Sequence, residues 1–174
     1  GYGEIANRIG KKIKSNGGEI HTSQKVSEVV LNSNNLFDVK TKDKTFFADF
    51  VISTIQLNEI ITKIKPLPET KIIRSAKKLE YLSLILLYLI TKKKNVFDCQ
   101  YCYFINRSYN RISDMNSFSE NLSPKDENIL AVEISCHYES DVWKSSDEEI
   151  FSTCIREIEK DNFLKKTDVI NYKV

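Results

Sequence analysis

The sequence has 174 residues, 41% of them hydrophobic, and a formal net charge of +2 from 26 basic and 24 acidic side chains. A chain of this size buries about 70% of its unfolded surface and holds a core without disulfide staples, and five glycines with three prolines exclude low-complexity and disordered classes. The near-balanced charge excludes a general attraction to nucleic acid or acidic membranes, and the longest apolar run, Tyr81 to Ile90, is too short to span a bilayer.

Glu4 to Ser15 reads as an amphipathic helix, because Ile5, Ile9 and Ile13 recur at helical spacing and Lys11, Lys12 and Lys14 fall late, where positive charge suits the helix dipole. Asn16-Gly17-Gly18 stops it, and Glu19 to Thr22 reads as a short strand. A β-meander follows. Val26, Val29, Val30 and Leu31 give one strand, Asn32 to Asn35 a turn, Leu36, Phe37 and Val39 the antiparallel partner, Lys42-Asp43-Lys44 a second turn, and Thr45 to Phe47 a short return. Ala48 to Ile55, with its β-branched centre Val51-Ile52-Ser53-Thr54-Ile55, reads as a buried strand that empties into a helix beginning near Gln56. Such a strand end is where α/β proteins place ligands.

Pro66-Leu67-Pro68 breaks that helix, and Glu69 to Lys78 is the next one. The prolines divide the sequence into 1–65 and 66–174. Glu80 to Thr91 fits helix or strand by length and reads as a central strand from its setting, with Gln100 to Asn106 as its neighbour and Tyr109 to Ser113 as a shorter one. Met115 to Asp126 is a polar loop, and Ile129 to Cys136 another strand. Ser146-Asp147-Glu148-Glu149 is a capping box opening a helix to about Lys160, and Thr167 to Val174 is a last strand. The fold class is α+β.

Four cysteines in this length do not suggest a disulfide scaffold, and no signal peptide is visible, so the compartment reads as cytoplasmic. The glycosylation triplets at Asn106 and Asn121 carry little weight without a secretory signal. Cys99-Gln100-Tyr101-Cys102 has metal-like spacing, but a structural zinc needs four ligands, and Cys136-His137 point to opposite faces of a strand. A redox pair of this spacing usually sits at a helix N-terminus, whereas these flanks are aromatic and strand-like. Neither a metal nor a Ser-His-Asp constellation is expected, and His21 reads as structural. Glu133, inside an apolar strand, is either a tuned acid or base or, more simply, a residue sent to solvent by alternation. The sequence opens on Gly1 and closes in mid-strand, and so reads as excised from something longer.

The order Gly1-Tyr2-Gly3, helix, Gly17-Gly18-Glu19-Ile20, Val26-Ser27-Glu28-Val29, hairpin, Ala48-Asp49-Phe50-Val51-Ile52-Ser53-Thr54-Ile55 resembles the middle of flavin-dependent amine oxidases and protoporphyrinogen oxidases, with UDP-galactopyranose mutase more distant. The remainder, including Leu79-Glu80-Tyr81, Tyr109-Asn110-Arg111-Ile112, Asn116-Ser117-Phe118-Ser119, Val132-Glu133-Ile134 and Asp141-Val142-Trp143, resembles a bacterial branch associated with surface-polysaccharide synthesis. The family's Gly-x-Gly-x-x-Gly fingerprint is nowhere in the sequence, and Gln56 stands where the family usually has Pro.

The resemblance implies an internal piece of an FAD-dependent oxidoreductase. Residues 1–65 would be part of an FAD-binding domain, a β-meander with a returning strand, and 66–174 an antiparallel or mixed-sheet substrate domain with flanking helices. It implies FAD in the parent protein, held weakly or not at all by this piece because the pyrophosphate site is absent. Val26 would contact adenine through its backbone, and Ser53 and Thr54 would lie near the cofactor. Gly1 and Gly3 either let backbone approach the flavin or simply make a turn. Arg111, Tyr101 and Asn116 are the substrate candidates, with Arg111 able to meet a carboxylate or phosphate of a sugar-nucleotide-like small molecule. Self-association through an exposed sheet edge is a further expectation. The rival readings are a flavin-dependent sugar-nucleotide isomerase and a non-enzymatic α+β binding module.

Overall fold

A computed structural model describes residues 3–174, which divide at Leu79/Glu80 into two compact units. Both are mixtures of helix and largely antiparallel sheet, so the architecture is α+β.

The first unit opens with α1 (Gly3–Ser15), which carries Glu4 in its first turn and Lys12 and Lys14 in its last. Gly17, at φ +84°, ends it, and the Gly18 N–H closes back on the Ile13 carbonyl at 2.9 Å. Four short strands follow: β1 (Glu28–Leu31), β2 (Phe37–Lys40), β3 (Thr45–Ala48) and β4 (Ile64–Lys65), ordered β3-β2-β1-β4 with only β1/β4 parallel. The β1–β2 turn is fixed by Asn32, whose Oδ1 accepts from the N–H groups of Asn34 and Leu36 at 3.0 and 3.1 Å. The short helices α2 (Leu57–Ile60) and α3 (Thr70–Lys77) pack on each other, and α3 stays with this unit.

Two expected strands are absent here. Residues 19–22 make no ladder, and His21 instead packs on Phe46 with its ring centroid 4.9 Å away. The run from Ala48 to Ile55 yields only the end of β3, and among the described residues no strand pairs with 49–55. The stretch is irregular, with bends at Asp49 and Ile55, and it turns Phe50 and Ile52 outward at 87% and 92% exposure. The β-branched composition is right for a strand, but a strand exists only by pairing, and this unit offers no neighbour for it.

The second unit is one antiparallel sheet with a helix on one face. Its strands are β5 (Leu82–Thr91), β6 (Tyr101–Tyr103), β7 (Arg111–Asp114), β8 (Asn128–His137) and β9 (Val169–Lys173), in the order β6-β7-β8-β5-β9. β5 and β8 pair in unbroken register along their whole lengths, from Leu82↔His137 to Thr91↔Asn128. The sequence placed 100–106 beside β5, but that position belongs to the longer β8, and β6 sits at the far edge on β7. The expected loop after β7 holds α4 (Met115–Phe118), capped by the Asp114 side chain, and a short 3-10 turn.

Alternation gives the sheet two unlike faces. Leu87, Leu89, Ile112, Leu130 and Val132 are fully buried and form one core with Ile150, Phe151, Cys154, Ile155 and Ile158 of α6 (Asp147–Lys160). Each such side chain contributes roughly 1.5–3 kcal/mol by leaving water. α6 begins with the expected capping box, Ser146 accepting from Glu149 N and Glu149 accepting from Ser146 N. Near its C-terminal end, Asp161 takes Arg107 in a bidentate pair, and Glu157 accepts from both the N–H and the hydroxyl of Ser108. Ahead of α6, α5 (Asp141–Lys144) is a single turn capped by Ser140.

At one end of the sheet a buried polar knot ties the loops down. Asn128 Nδ2 donates to Asp114 Oδ1 and to the Lys94 carbonyl, both at 2.9 Å, while Asp114 Oδ2 accepts from Val96 N at 3.2 Å. Asp114 and Asn128 are wholly buried. Removing one partner strands the others in a low-dielectric site. Asp114→Ala is therefore expected to destabilise the second unit by about 3 kcal/mol, read as a shift in its urea unfolding midpoint at unchanged slope. An unchanged midpoint would show that the knot is replaceable by water.

Acid should act through the hydrogen-bonded carboxylates around α6. The carboxyl groups of Asp161, Glu148 and Glu149 are each held below their ordinary range, by the Arg107 hydrogen bond, by the Tyr172 hydroxyl, and by the Ser146 backbone N–H respectively. Groups whose folded pKa is depressed stabilise above the unfolded pKa and lose that contribution as pH falls through the folded one. Thermal stability is thus expected to drop on acidification below about pH 4, and more shallowly in Asp161→Asn. Equal slopes for variant and parent would refute the Asp161 contribution.

Candidate functional site

In the first unit, β1, β2, α2 and the 51–55 stretch line a cleft of ≈ 410 Å³. Such a volume falls in the range of small-molecule sites, roughly 300–1,000 Å³. Its walls are apolar, from Val29, Val39, Val51 and Ile60, and its rim is polar, from Ser53, Thr54, Lys25 and Glu59. Val26, Ser53 and Thr54, distant in sequence, line this one cleft together. Lys63 fixes the backbone there: its Nζ bonds the Val26 carbonyl at 2.9 Å and the Glu59 carboxylate at 3.0 Å, with the side chain only 15% exposed. Among the other expected residues, Gly3 starts α1 with open space around it, and Gly1 lies outside the described residues. Lys25, Glu59 and Lys63 escaped the sequence reading because only the parallel β1/β4 pairing, through Val29↔Ile64, brings 59–65 beside 24–29.

In the second unit the open face of the sheet carries a charged and aromatic row. The register sets Tyr103 opposite Arg111, Arg111 opposite Glu133, and Glu133 opposite Leu86. Arg111 Nε donates to Glu133 Oε1 at 2.9 Å, and Nη1 to the Tyr103 hydroxyl at 3.2 Å. Its guanidinium carbon lies 5.5 Å from the Tyr101 ring centroid and 5.6 Å from that of Tyr103, within cation–π range. The Glu133 carboxylate and then the Tyr103 hydroxyl hold the guanidinium more firmly in its charged form. Leu84 and Tyr88 continue the same exposed face.

Arg111 and Tyr101 thus come together on this face. Asn116 does not join them. It sits at the polar knot, its N–H on Asn128 Oδ1 and its Nδ2 on the Glu127 carbonyl at 3.0 Å, with Oδ1 buried and unpartnered. Glu133 lies on the open face, where it meets Arg111 across the β7/β8 register. Alternation put it on the correct face, but the strand register that supplies its partner is not readable from one sequence. Among the described residues, no group of three or more His, Cys, Asp or Glu side chains is placed to hold a metal ion, and no helix is long and apolar enough to cross a membrane.

The family model of flavin containing amine oxidoreductases matches residues 1–169. Among curated proteins none matches. Solved structures similar to the chain include reduced UDP-galactopyranose mutase (15% identity, TM-score 0.70, covering 95% of this chain and 36% of that one). An oxidoreductase from Methanosarcina mazei is also similar (17% identity, TM-score 0.66, 92% and 39%). A third is putrescine oxidase bound to putrescine (14% identity, TM-score 0.61, 92% and 35%). At these identities the likeness is one of fold, and the chain spans between a third and two fifths of each relative's length.

The Arg111–Glu133 pair is partly buried, with side chains 32% and 17% exposed. A double-mutant cycle of Arg111→Met and Glu133→Gln is expected to give a coupling of about 1 kcal/mol in unfolding free energy. A coupling of zero would mean that the two groups do not act as a pair.

Proposed function

Since the chain belongs to the family of flavin containing amine oxidoreductases, we propose that it acts within an FAD-dependent oxidoreductase, the first unit contributing to the cofactor site and the second a wall of the substrate site. The observation that carries this reading is the convergence of Val26, Ser53 and Thr54 on one cleft. Its chemistry suits the adenosine end of FAD. Val29, Val39 and Ile60 offer an apolar slot for a flat ring, while Ser53 and Thr54 offer hydroxyls and Lys25 a cation at the rim. Lys63 positions the Val26 backbone by holding its carbonyl. The bound flavin would supply the redox chemistry by accepting a hydride. No Gly-x-Gly-x-x-Gly unit is present to grip the pyrophosphate, so this chain alone should hold the cofactor weakly.

The substrate wall in this reading is the open face around Arg111, Tyr101 and Tyr103. Because Arg111 is already neutralised by Glu133, the row favours a substrate that is not a free dianion, in keeping with amine chemistry. The second reading, a flavin-dependent sugar-nucleotide isomerase, draws on the fold shared with the mutase, and would require Arg111 to leave Glu133 for a pyrophosphate. A non-enzymatic binding module has no support from the family match. A cytoplasmic setting in surface-polysaccharide synthesis belongs to the proposal through the resemblance of the residue order. So does self-association through the β3 or β6 edge.

Titration of the purified chain with ADP, followed by backbone amide NMR, tests the cleft. Shifts confined to residues 24–29 and 51–63 are expected, with Kd on the order of 1 mM, and lost in Val29→Trp. Shifts elsewhere, or none at saturating nucleotide, would overturn the assignment. Light scattering of the same samples at several concentrations reads the edge association, and a constant mass would dismiss it.

A further inference from the structure

The two cysteines at the β6 edge stand apart from the cleft and from the Arg111 row, and the sequence alone favoured neither a metal nor a redox role for them. Cys102 lies within β6 on the core side, opposite Ile112, and Cys99 sits in the turn that leads into the strand. Their Sγ atoms are 3.1 Å apart, inside the hydrogen-bonding range of sulfur. The Cys99 thiol donates to the Tyr101 carbonyl at 3.4 Å. Either sulfur can be the donor in the contact between them. Both residues are partly exposed, whereas Cys136 and Cys154 are buried in the core.

We propose that Cys99 and Cys102 form a reversible thiol–disulfide couple, oxidised by low-molecular-weight disulfides, that locks the strand edge presenting Tyr101. Position assigns the roles, since Cys99 lies in the turn ahead of β6 and Cys102 within the strand on the core side. Cys99 is thus the attacking sulfur, with the Cys102 sulfur 3.1 Å away to follow it. Its thiolate attacks a disulfide R–S–S–R, one R–S⁻ leaves, and a mixed disulfide forms on Cys99. Cys102 then loses its proton and attacks the Cys99 sulfur, expelling the second R–S⁻. Two protein thiols become one disulfide, the oxidant is reduced to two thiols, and the two protons released pass to the expelled thiolates. Burial first, and then the bond to Cys99, push the Cys102 thiol up to about 11, consistent with its acting second.

The consequence falls on Tyr101, which lies inside the ring that the disulfide closes. Its side chain points to the opposite face of β6, where it lies 5.5 Å from Arg111. Closing the ring removes backbone freedom from residues 99–102 and fixes the ring of Tyr101 over the guanidinium. The inference stands apart from the flavin assignment, because the thiol chemistry needs neither cofactor nor substrate.

The test is equilibration of the full chain in buffers of oxidised and reduced glutathione at varied ratio, quenched with acid. Intact mass should fall by two hydrogen atoms, reactive thiols should drop from the four free cysteines to half that number, and peptide mapping should place the link between Cys99 and Cys102. Dithiothreitol should restore the parent mass. Cys102→Ser should instead stop at a stable glutathione adduct on Cys99, and amide exchange at 99–103 should slow in the oxidised wild type. An unchanged mass at the most oxidising ratio, a link involving Cys136 or Cys154, or an adduct on Cys102 in preference to Cys99 would each overturn the proposal.

Discussion

The unbroken pairing of β5 with β8 is the constraint on which the second unit depends. Every residue of one strand has a fixed partner on the other, so the faces cannot be exchanged without shifting one strand by a whole residue. That lock decides which side chains are buried against α6 and which are presented outward. Leu87, Leu89, Leu130 and Val132 go to the core, while Leu86, Tyr88 and Glu133 go to the open face. β7 then docks on β8, and its register delivers Arg111 to Glu133. The charged row is therefore a by-product of apolar alternation two strands away. The polar knot at Asp114 and Asn128 closes the end of the same ladder, where side chains replace backbone pairing in satisfying the loops.

Much of this was legible in the sequence, and the exceptions share a cause. α1, the β1–β2–β3 meander, β5, β8 and α6 follow from patterns contained within a dozen residues, such as the Ile5-Ile9-Ile13 spacing or the Ser146–Glu149 box. The convergence of Val26 with Ser53 and Thr54 came from a resemblance in residue order, and the geometry puts all three on one cleft. What could not be read is pairing across distance. Lys63 reaches Val26 through the parallel β1/β4 contact, β8 displaces β6 from the side of β5, and Asn116 serves a knot whose other members lie between Lys94 and Asn128. No local period announces any of these.

The failure at 49–55 has a different physical basis. Asp49 to Ile55 carries the composition of a buried strand, yet it has no ladder in this unit and exposes Phe50 and Ile52. Composition reports what a segment would do when flanked by partners, and the structure reports what it does among the residues available. The stripe of Ile5, Ile9 and Ile13 on α1, with no residue of that helix buried, belongs to the same class of observation. Both are apolar surfaces of a kind that monomeric proteins seldom leave uncovered.

The absence of any ladder at 49–55 among the described residues also has a bearing on how long such a chain would survive in a cell. Proteases and holding chaperones bind their clients as extended strands, adding them by backbone hydrogen bonds to an edge of their own, and they act on segments already open. A stretch outside any ladder that turns Phe50 and Ile52 outward offers such a partner accessible backbone and apolar side chains. Turnover of the polypeptide would then follow the accessibility of this stretch as well as the stability of the β5–β8 ladder.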